Sequence, residues 1–262
     1  MTSYQKLKDA IEKKGSLLCV GLDSDASKIP DSFGYAPESI LKFNKRIIEL
    51  SSEYASAYKI NFAFYEKYGW RGFKMIEETL NMIPEDIFTI ADAKRGDIGN
   101  TGNQYASSVY DYFGFDSVTV APYMGEDSVK PFLEFDSKFT FLLGLTSNAG
   151  SQDFQNLESN GKKLYENVFE ISSKWGDAQN LGYVTGATKP EQLNKLREDY
   201  PDRVFLIPGV GSQGGSAEDV MKANGGKISL VNVSRSIIFA GSDEQIVEEC
   251  KKYKVSLNFD SK

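Results

Sequence analysis

A (β/α)8 TIM barrel is the fold this sequence predicts, and three observations predict it. The chain has 262 residues, 40% of them hydrophobic, enough for one large core and within the range of barrels of roughly 250 residues. Short apolar, β-branched runs recur at 17–22, 57–61, 87–91, 117–121, 140–145, 182–185, 204–207 and 230–233. Several are continuous rather than alternating, as parallel strands buried on both faces should be. The segments between them carry a helical period. An alternation of strand and helix over this length leaves a doubly wound open sheet as the structural alternative. No linker, low-complexity stretch or composition shift marks a second domain, so residues 1–262 are read as one barrel domain.

The elements follow in order. Residues 1–15 read as an amphipathic helix with charges throughout, unlike a signal peptide. After the first strand, Ile40, Phe43, Ile47 and Leu50 fall on one helical stripe; after the second, Phe73, Ile76 and Leu80 do the same. The third strand, 87–91, runs into Asp92-Ala93-Lys94-Arg95-Gly96-Asp97-Ile98. Residues i and i+2 of a strand face the same way, so Asp92 and Lys94 are expected to project together from its C-terminal end. Thr188 and Glu191 have capping-box spacing, with Pro190 in the first turn of the helix that follows the sixth strand. The seventh strand is followed by the glycine-rich stretch Pro208 to Gly215, with a helix expected to begin near Ser216.

Composition excludes much. Thirty-seven acidic against 30 basic residues give a formal charge of −7, which argues against a nucleic-acid partner. No apolar run approaches the roughly 20 residues that span a bilayer. Two cysteines, Cys19 in a buried strand and Cys250 in the last helix, make no disulfide framework and suit a reducing, cytoplasmic setting. No cysteine cluster resembles a metal site. The chain has no histidine, so a Ser-His-Asp triad, a Cys-His pair and an imidazole ligand are all excluded. Proton transfer falls to Lys, Asp, Glu, Tyr or Cys.

In a barrel, the polar residues at the strand ends gather on the C-terminal face, where active sites sit. They are Asp23, Lys59, Asp92, Lys94, Thr146 to Asn148, Gly211 to Gly215, Ser234 and Arg235. An ammonium held between carboxylates stays charged, and a fixed Lys⁺ able to give up a proton suits a reaction that creates negative charge on carbon. The same residues also fit a solvated charge run. Glycines let backbone N–H groups approach a ligand, and a helix N-terminus favours an anion. With Arg235 on the adjacent strand end, the 208–215 loop reads as a phosphate site, against a plain glycine turn capped by Ser216. Ser147 either meets a polar ring edge or caps its own loop. Asp23 either holds a sugar hydroxyl or caps the first loop. Lys59 is a cation of the barrel mouth or a snorkelling side chain. Asp97, past a glycine, need not face the pocket of Lys94. Cys19 reads as a core filler.

Taken together, these residues resemble the orotidine 5′-phosphate decarboxylase family. The resemblance rests on Asp92-x-Lys94-x-x-Asp97-Ile98 with Lys59 on the preceding strand. It continues through Asn100-Thr101, Ala121 to Gly125, Thr146 to Gly150, Pro208 to Gly215 and Val233-Ser234-Arg235. The Lys-Arg-Gly-Asp-Ile-Gly and Ala-Pro-Tyr-Met-Gly wording is similar to a longer, bacterial-type branch. The resemblance implies a homodimer of barrels, without cofactor or metal, that converts orotidine 5′-phosphate to UMP and CO2 in pyrimidine biosynthesis. It implies that Lys94 gives a proton to C6, that Asp92 faces the substrate carboxylate, and that Lys59 bridges Asp92 or Asp97 and the ribose. Asp97, Ile98 and Thr101 would reach the partner's site. Asp23 would bind the ribose, Ser147 the pyrimidine edge, and Pro208, Gln213, Gly214 and Arg235 the phosphate end. Gly99 stands where many members have proline, and Thr146-Ser147-Asn148-Ala149-Gly150 replaces the commoner Ser-His-Pro-Gly. Sister barrels acting on keto-sugar phosphates share Asp-x-Lys-x-x-Asp but use Mg²⁺ and lack the counterpart of Lys59. A barrel that binds a nucleotide phosphate without turnover is the non-enzymatic alternative.

Overall fold

Cys19 pairs with Asn232, and Leu18 with Val231, in parallel register. That ladder joins the first barrel strand to the last and closes the sheet, which rules out the open doubly wound alternative. The computed structural model describes residues 1–35, 37–159, 161–212 and 214–260. Its strands are β1 (Leu18–Gly21), β2 (Ala57–Asn61), β3 (Phe88–Arg95), β4 (Ser117–Val120), β5 (Phe139–Leu145), β6 (Glu158–Ser159), β7 (Lys162–Lys163), β8 (Leu181–Thr185), β9 (Phe205–Pro208) and β10 (Ser229–Val233). The barrel order is β1-β10-β9-β8-β5-β4-β3-β2, and β6 and β7 form a separate hairpin. All eight predicted strands are present, each within a few residues of its expected bounds.

The helices are α1 (Ser3–Lys14), α2 (Glu38–Ser51), α3 (Ala63–Glu66), α4 (Trp70–Leu80), α5 (Gly99–Ser107), α6 (Lys130–Leu133), α7 (Ser151–Phe154), α8 (Leu164–Ser172), α9 (Pro190–Asp199), α10 (Ala217–Asn224), α11 (Arg235–Ile238) and α12 (Asp243–Ser256). Thr2 caps α1 by accepting from the Gln5 N–H at 3.2 Å, and Ser216 caps α10 by accepting from that of Asp219 at 3.2 Å. The single-turn helices α3, α6, α7 and α11 follow β2, β4, β5 and β10.

Two local expectations are corrected. The buried face of α4 is Gly72, Met75, Ile76 and Thr79, with Leu80 packed partly buried against the core, so Ile76 and Leu80 of the expected stripe hold and Phe73 does not. Gly72 decides this: a Cβ there would lie 1.8 Å from the Tyr65 carbonyl oxygen, so α4 packs with its backbone against α3 and turns Phe73 outward. Thr188 does not cap α9. Lys189 occupies that position, with Pro190 as the first helical residue and no side-chain cap bond. The stripe on α2 holds: Ile40, Phe43 and Ile47 are buried and Leu50 packs partly buried against the core.

Two apolar layers make up the core. Phe88 and Phe139 fill the barrel interior on the strand faces that carry Asp92 and Leu143 further along, while between sheet and helices lie Tyr58, Tyr183 and Phe205 among others; all five are fully buried. Arg197 of α9 is buried there as well, with its guanidinium 3.9 Å from the centre of the Phe205 ring and hydrogen bonds to the Arg203 carbonyl, Asn224 and Ser229. Its pKa is pushed down to about 10 by burial.

Candidate active site

The mouth of the barrel holds a cavity of about 300 Å³ lined by every barrel strand or the loop that follows it. The lining obeys the strand period of two: Lys59 and Asn61 come from β2, while Leu206 and Pro208 come from β9. Asp92 and Lys94 come from β3, and Thr119 of β4, Leu143 of β5, Val184 of β8 and Asn232 of β10 add one residue each. Asp23 and the loop residues Thr146, Ser147 and Asn148 complete it.

At its centre is a linked row of charges. Lys59 Nζ donates to Asp23 Oδ1 at 3.2 Å and to Asp92 Oδ2 at 2.9 Å, and Lys94 Nζ donates to Asp92 Oδ1 at 2.6 Å. Lys59 is 3% exposed; its stem is inside the barrel, and it does not snorkel to solvent. Burial works against its ammonium, but the Asp23 and Asp92 carboxylates outweigh that and hold its pKa above the ordinary lysine value. Burial likewise pushes the Asp92 carboxyl up. The ammonium groups of Lys59 and Lys94, each also hydrogen-bonded to it, win and hold it well below the usual carboxylate range. Lys94 differs from Lys59 in access: it lines the cavity with half of its side chain exposed.

The third strand accounts for this placement, and it runs further than expected. β3 continues through Asp92 and Lys94 to Arg95, and its pairing with β4 changes register between Ala91 and Arg95. Lys94 lies inside that slip with φ of +47°, a left-handed conformation that costs an L-residue about 1–2 kcal/mol. The chain turns there, which keeps the Lys94 side chain over Asp92. Thr119 lies beside the turn: its Oγ1 accepts from the Lys94 N–H at 3.0 Å and donates to Asp92 Oδ1 at 3.1 Å.

The loop of Asp23 is fixed from behind. Ser24 donates to Asn44 Oδ1 at 2.5 Å, Asn44 donates to Tyr65 and Thr79, and Tyr65 donates to the Leu22 carbonyl at 3.0 Å. On the other side, Gln155 holds the β5 loop by accepting from the Thr146 N–H and donating to its hydroxyl, at 2.9 and 2.8 Å. Gly186 lies under the same loop, where a Cβ would come within 2.8 Å of the Ser147 nitrogen.

Of the residues expected from sequence, Asp23, Lys59, Asp92, Lys94, Ser147 and Pro208 meet in the cavity. Asp97, Ile98, Thr101, Gly214 and Arg235 are not among its lining residues. Asp97 turns to its own backbone, accepting from the Ile98 N–H at 2.8 Å, and Ile98 is 54% exposed. Within the glycine loop, the N–H of Gly214 donates to the Gly211 carbonyl at 2.8 Å, and that of Gly215 to Gly209 at 3.0 Å. The expectation for Gln213 lies outside the described residues. Sequence reasoning missed Thr119, Asn61 and Asn232, which read as ordinary strand residues. Cys19, beneath the site, has its thiol pushed up to about 12 by burial, which fits a core filler and not a nucleophile. Among the described residues, no group of three or more Cys, Asp or Glu side chains is placed to hold a metal ion.

Fold and site together define a barrel enzyme whose mouth carries linked acidic and basic side chains. Comparison with known proteins narrows the class. The family model described as Orotidine 5′-phosphate decarboxylase / HUMPS family matches residues 16–250. A protein of Christiangramia forsetii named orotidine 5′-phosphate decarboxylase is 49% identical over 253 residues, covering 95% of this chain and 93% of its own. One of the same name from Porphyromonas gingivalis is 51% identical over 248 residues, covering 92% and 89%. The solved structure of Leishmania donovani OMP decarboxylase superposes with a TM-score of 0.83 at 34% identity, covering 97% of this chain and all of that one. The chain belongs to the orotidine 5′-phosphate decarboxylase / HUMPS family.

Proposed function

We propose that the decarboxylation of orotidine 5′-phosphate to UMP, the activity that comes with this family and its named relatives, runs in this chain through Lys94. The observation that carries the assignment is the Lys59–Asp92–Lys94 row at the cavity wall, with Lys94 the more open of its two ammonium groups. The C6–carboxylate bond breaks, CO2 leaves, and the electron pair stays on C6 in the ring plane. A fixed ammonium aimed at that carbon stabilises the charge where it develops. The same ammonium then gives its proton to C6, forming the C–H bond of UMP, and the neutral amine recovers a proton from water. Asp92 holds the Lys94 ammonium in place, and Lys59 holds Asp92 and Asp23. Asp23 is read as the ribose contact and Ser147 as the contact to the pyrimidine edge. Pro208, Gln213, Gly214 and Arg235 are read as the phosphate end, where binding energy far from C6 keeps the reacting carbon in register.

The chain is further read as one barrel domain acting as a homodimer, with Asp97, Ile98 and Thr101 reaching the partner's site. Their absence from the lining of their own cavity supports this. A cytoplasmic location is supported by two buried free thiols. No helix among the described residues is long and apolar enough to cross a membrane.

The test is the loss of orotidine 5′-phosphate absorbance on adding the purified chain in excess EDTA. Turnover is expected in the wild type and is expected to vanish in Lys94→Ala, while UMP binding survives. A silent wild type, or a Lys94→Ala variant with near-normal turnover, would refute the assignment.

A further inference from the structure

We infer that Thr119 is a positioning residue for Lys94, its one hydroxyl fixing both the backbone of that lysine and the carboxylate that aims its ammonium. The inference rests on Lys94 being the proton donor. A threonine hydroxyl offers one donor and two acceptor sites, and Thr119 spends them within a single residue's reach. Its Oγ1 accepts from the Lys94 N–H at 3.0 Å and donates to Asp92 Oδ1 at 3.1 Å. That carboxylate oxygen is the one that receives Lys94 Nζ at 2.6 Å. The bonds therefore form a closed ring through Lys94, entering at its backbone nitrogen and leaving at its side-chain nitrogen.

Two further observations show what the ring has to do. Lys94 adopts φ of +47°, a conformation that persists in an L-residue only when its surroundings impose it. It does so where the β3–β4 register slips between Ala91 and Arg95, so its N–H is held by a β4 side chain. Thr119 is 1% exposed, where water competes little for the hydroxyl and its bonds are correspondingly stronger. The β-branched side chain is also stiff at χ1, which makes the hydroxyl a fixed point. Without it, Lys94 keeps its charge partner but loses the restraint on its backbone, and the ammonium drifts from the direction of C6.

The experiment compares the wild type with Thr119→Val, which removes the hydroxyl at nearly constant shape, and Thr119→Ser, which keeps it. Loss of a charge-assisted bond in a preorganised site predicts a kcat for Thr119→Val lower by roughly ten- to a hundred-fold. KM and UMP affinity are expected to stay within about twofold, because the hydroxyl is spent on the Lys94 N–H and on Asp92. Thr119→Ser is expected to recover most of kcat. If the valine variant is not recovered folded, Thr119→Ala carries the same expectation. A wild-type kcat in Thr119→Val would overturn the inference, and so would a serine variant as impaired as the valine one, since packing of the methyl would then explain the loss. A raised KM with unchanged kcat would also overturn it, in favour of direct substrate contact. Absence of turnover in the wild type would bring down the decarboxylase reading itself, which is how the two failures are told apart.

Discussion

Replacing Lys59 by methionine should cost the fold far more than an ordinary lysine substitution, and the structure allows the cost to be worked. Lys59 is 3% exposed and makes hydrogen bonds to Asp23 at 3.2 Å and to Asp92 at 2.9 Å. Removing one partner from a buried pair costs about 3–5 kcal/mol because the other charge is stranded. Two circumstances lower that figure: Asp92 keeps Lys94 at 2.6 Å, and the Asp23 side chain is 18% exposed and can turn to water. Methionine also regains part of the apolar burial. A loss of about 2–3 kcal/mol remains, which at about 2–4 °C per kcal/mol for a chain of this size lowers Tm by roughly 4–12 °C. Urea unfolding at pH 7 reads it as a lower midpoint at unchanged slope. The acid limb supplies an independent sign. A depressed carboxylate contributes stability above its unfolded pKa, about 3.9, and loses it as pH falls through the folded value. With Lys59 gone, the upward push of burial on Asp92 is opposed by fewer cations, its folded pKa rises, and Lys59→Met should begin to unfold at a higher pH than the wild type. A loss below about 0.5 kcal/mol, the range of an ordinary surface substitution, together with an unmoved acid limb would show that the buried ammonium is not what holds the two carboxylates.

Three other outcomes are expected. The kcat should be flat between about pH 5 and 9, since the chain has no histidine and the folded pKa of Asp92 lies below, that of Lys59 above, this window; an inflection near neutrality would point to a titrating group outside this row. Gly186→Ala sets a Cβ 2.8 Å from the Ser147 nitrogen, so the β5 loop must shift. Initial rates should show KM raised by about tenfold, one pocket contact's worth, with kcat nearly kept, and an unchanged KM would detach Ser147 from substrate binding. Lys94→Ala and Asp97→Ala should each be nearly inactive alone, yet mixed and re-equilibrated dimers should regain about a quarter of wild-type activity, since half the dimers are hybrids with one intact site of two. No recovery on mixing would mean that each subunit's site is self-contained.

Much of the fold was legible because its signal is repeated. Strand β2 begins and ends where the apolar run 57–61 does, and the other barrel strands fall within a few residues of theirs. The third strand was legible as an element but not in extent, since Asp92, Lys94 and Arg95 look like loop residues unless the barrel interior is polar at that point. The face of α4 was misread because periodicity weighs Phe73 by its hydrophobicity and cannot see that Gly72 allows a backbone contact with Tyr65. The hairpin of β6 and β7 is too short to leave a pattern. In the site, the charged row was legible because buried lysines and carboxylates need one another. Thr119 was not, because Ser117-Val118-Thr119-Val120 reads as a β-branched strand filler and its role depends on a register slip in the neighbouring strand. Asn44 was hidden similarly: a buried amide on an apolar helix stripe has no meaning until Ser24, Tyr65 and Thr79 surround it.

The closing ladder has a consequence for how the protein is made. Leu18 pairs in register with Val231, 213 residues later, so on the ribosome β1 must wait for its second neighbour. At about 5–20 residues per second the wait is roughly 10–40 s. Throughout it the nascent sheet carries open edges rich in valine, leucine and phenylalanine, which are templates for pairing with other chains. The finished barrel has no edge to defend, and its risk of aggregation is confined to the interval of its own synthesis, when a holdase chaperone or a slow dilution during refolding would matter most.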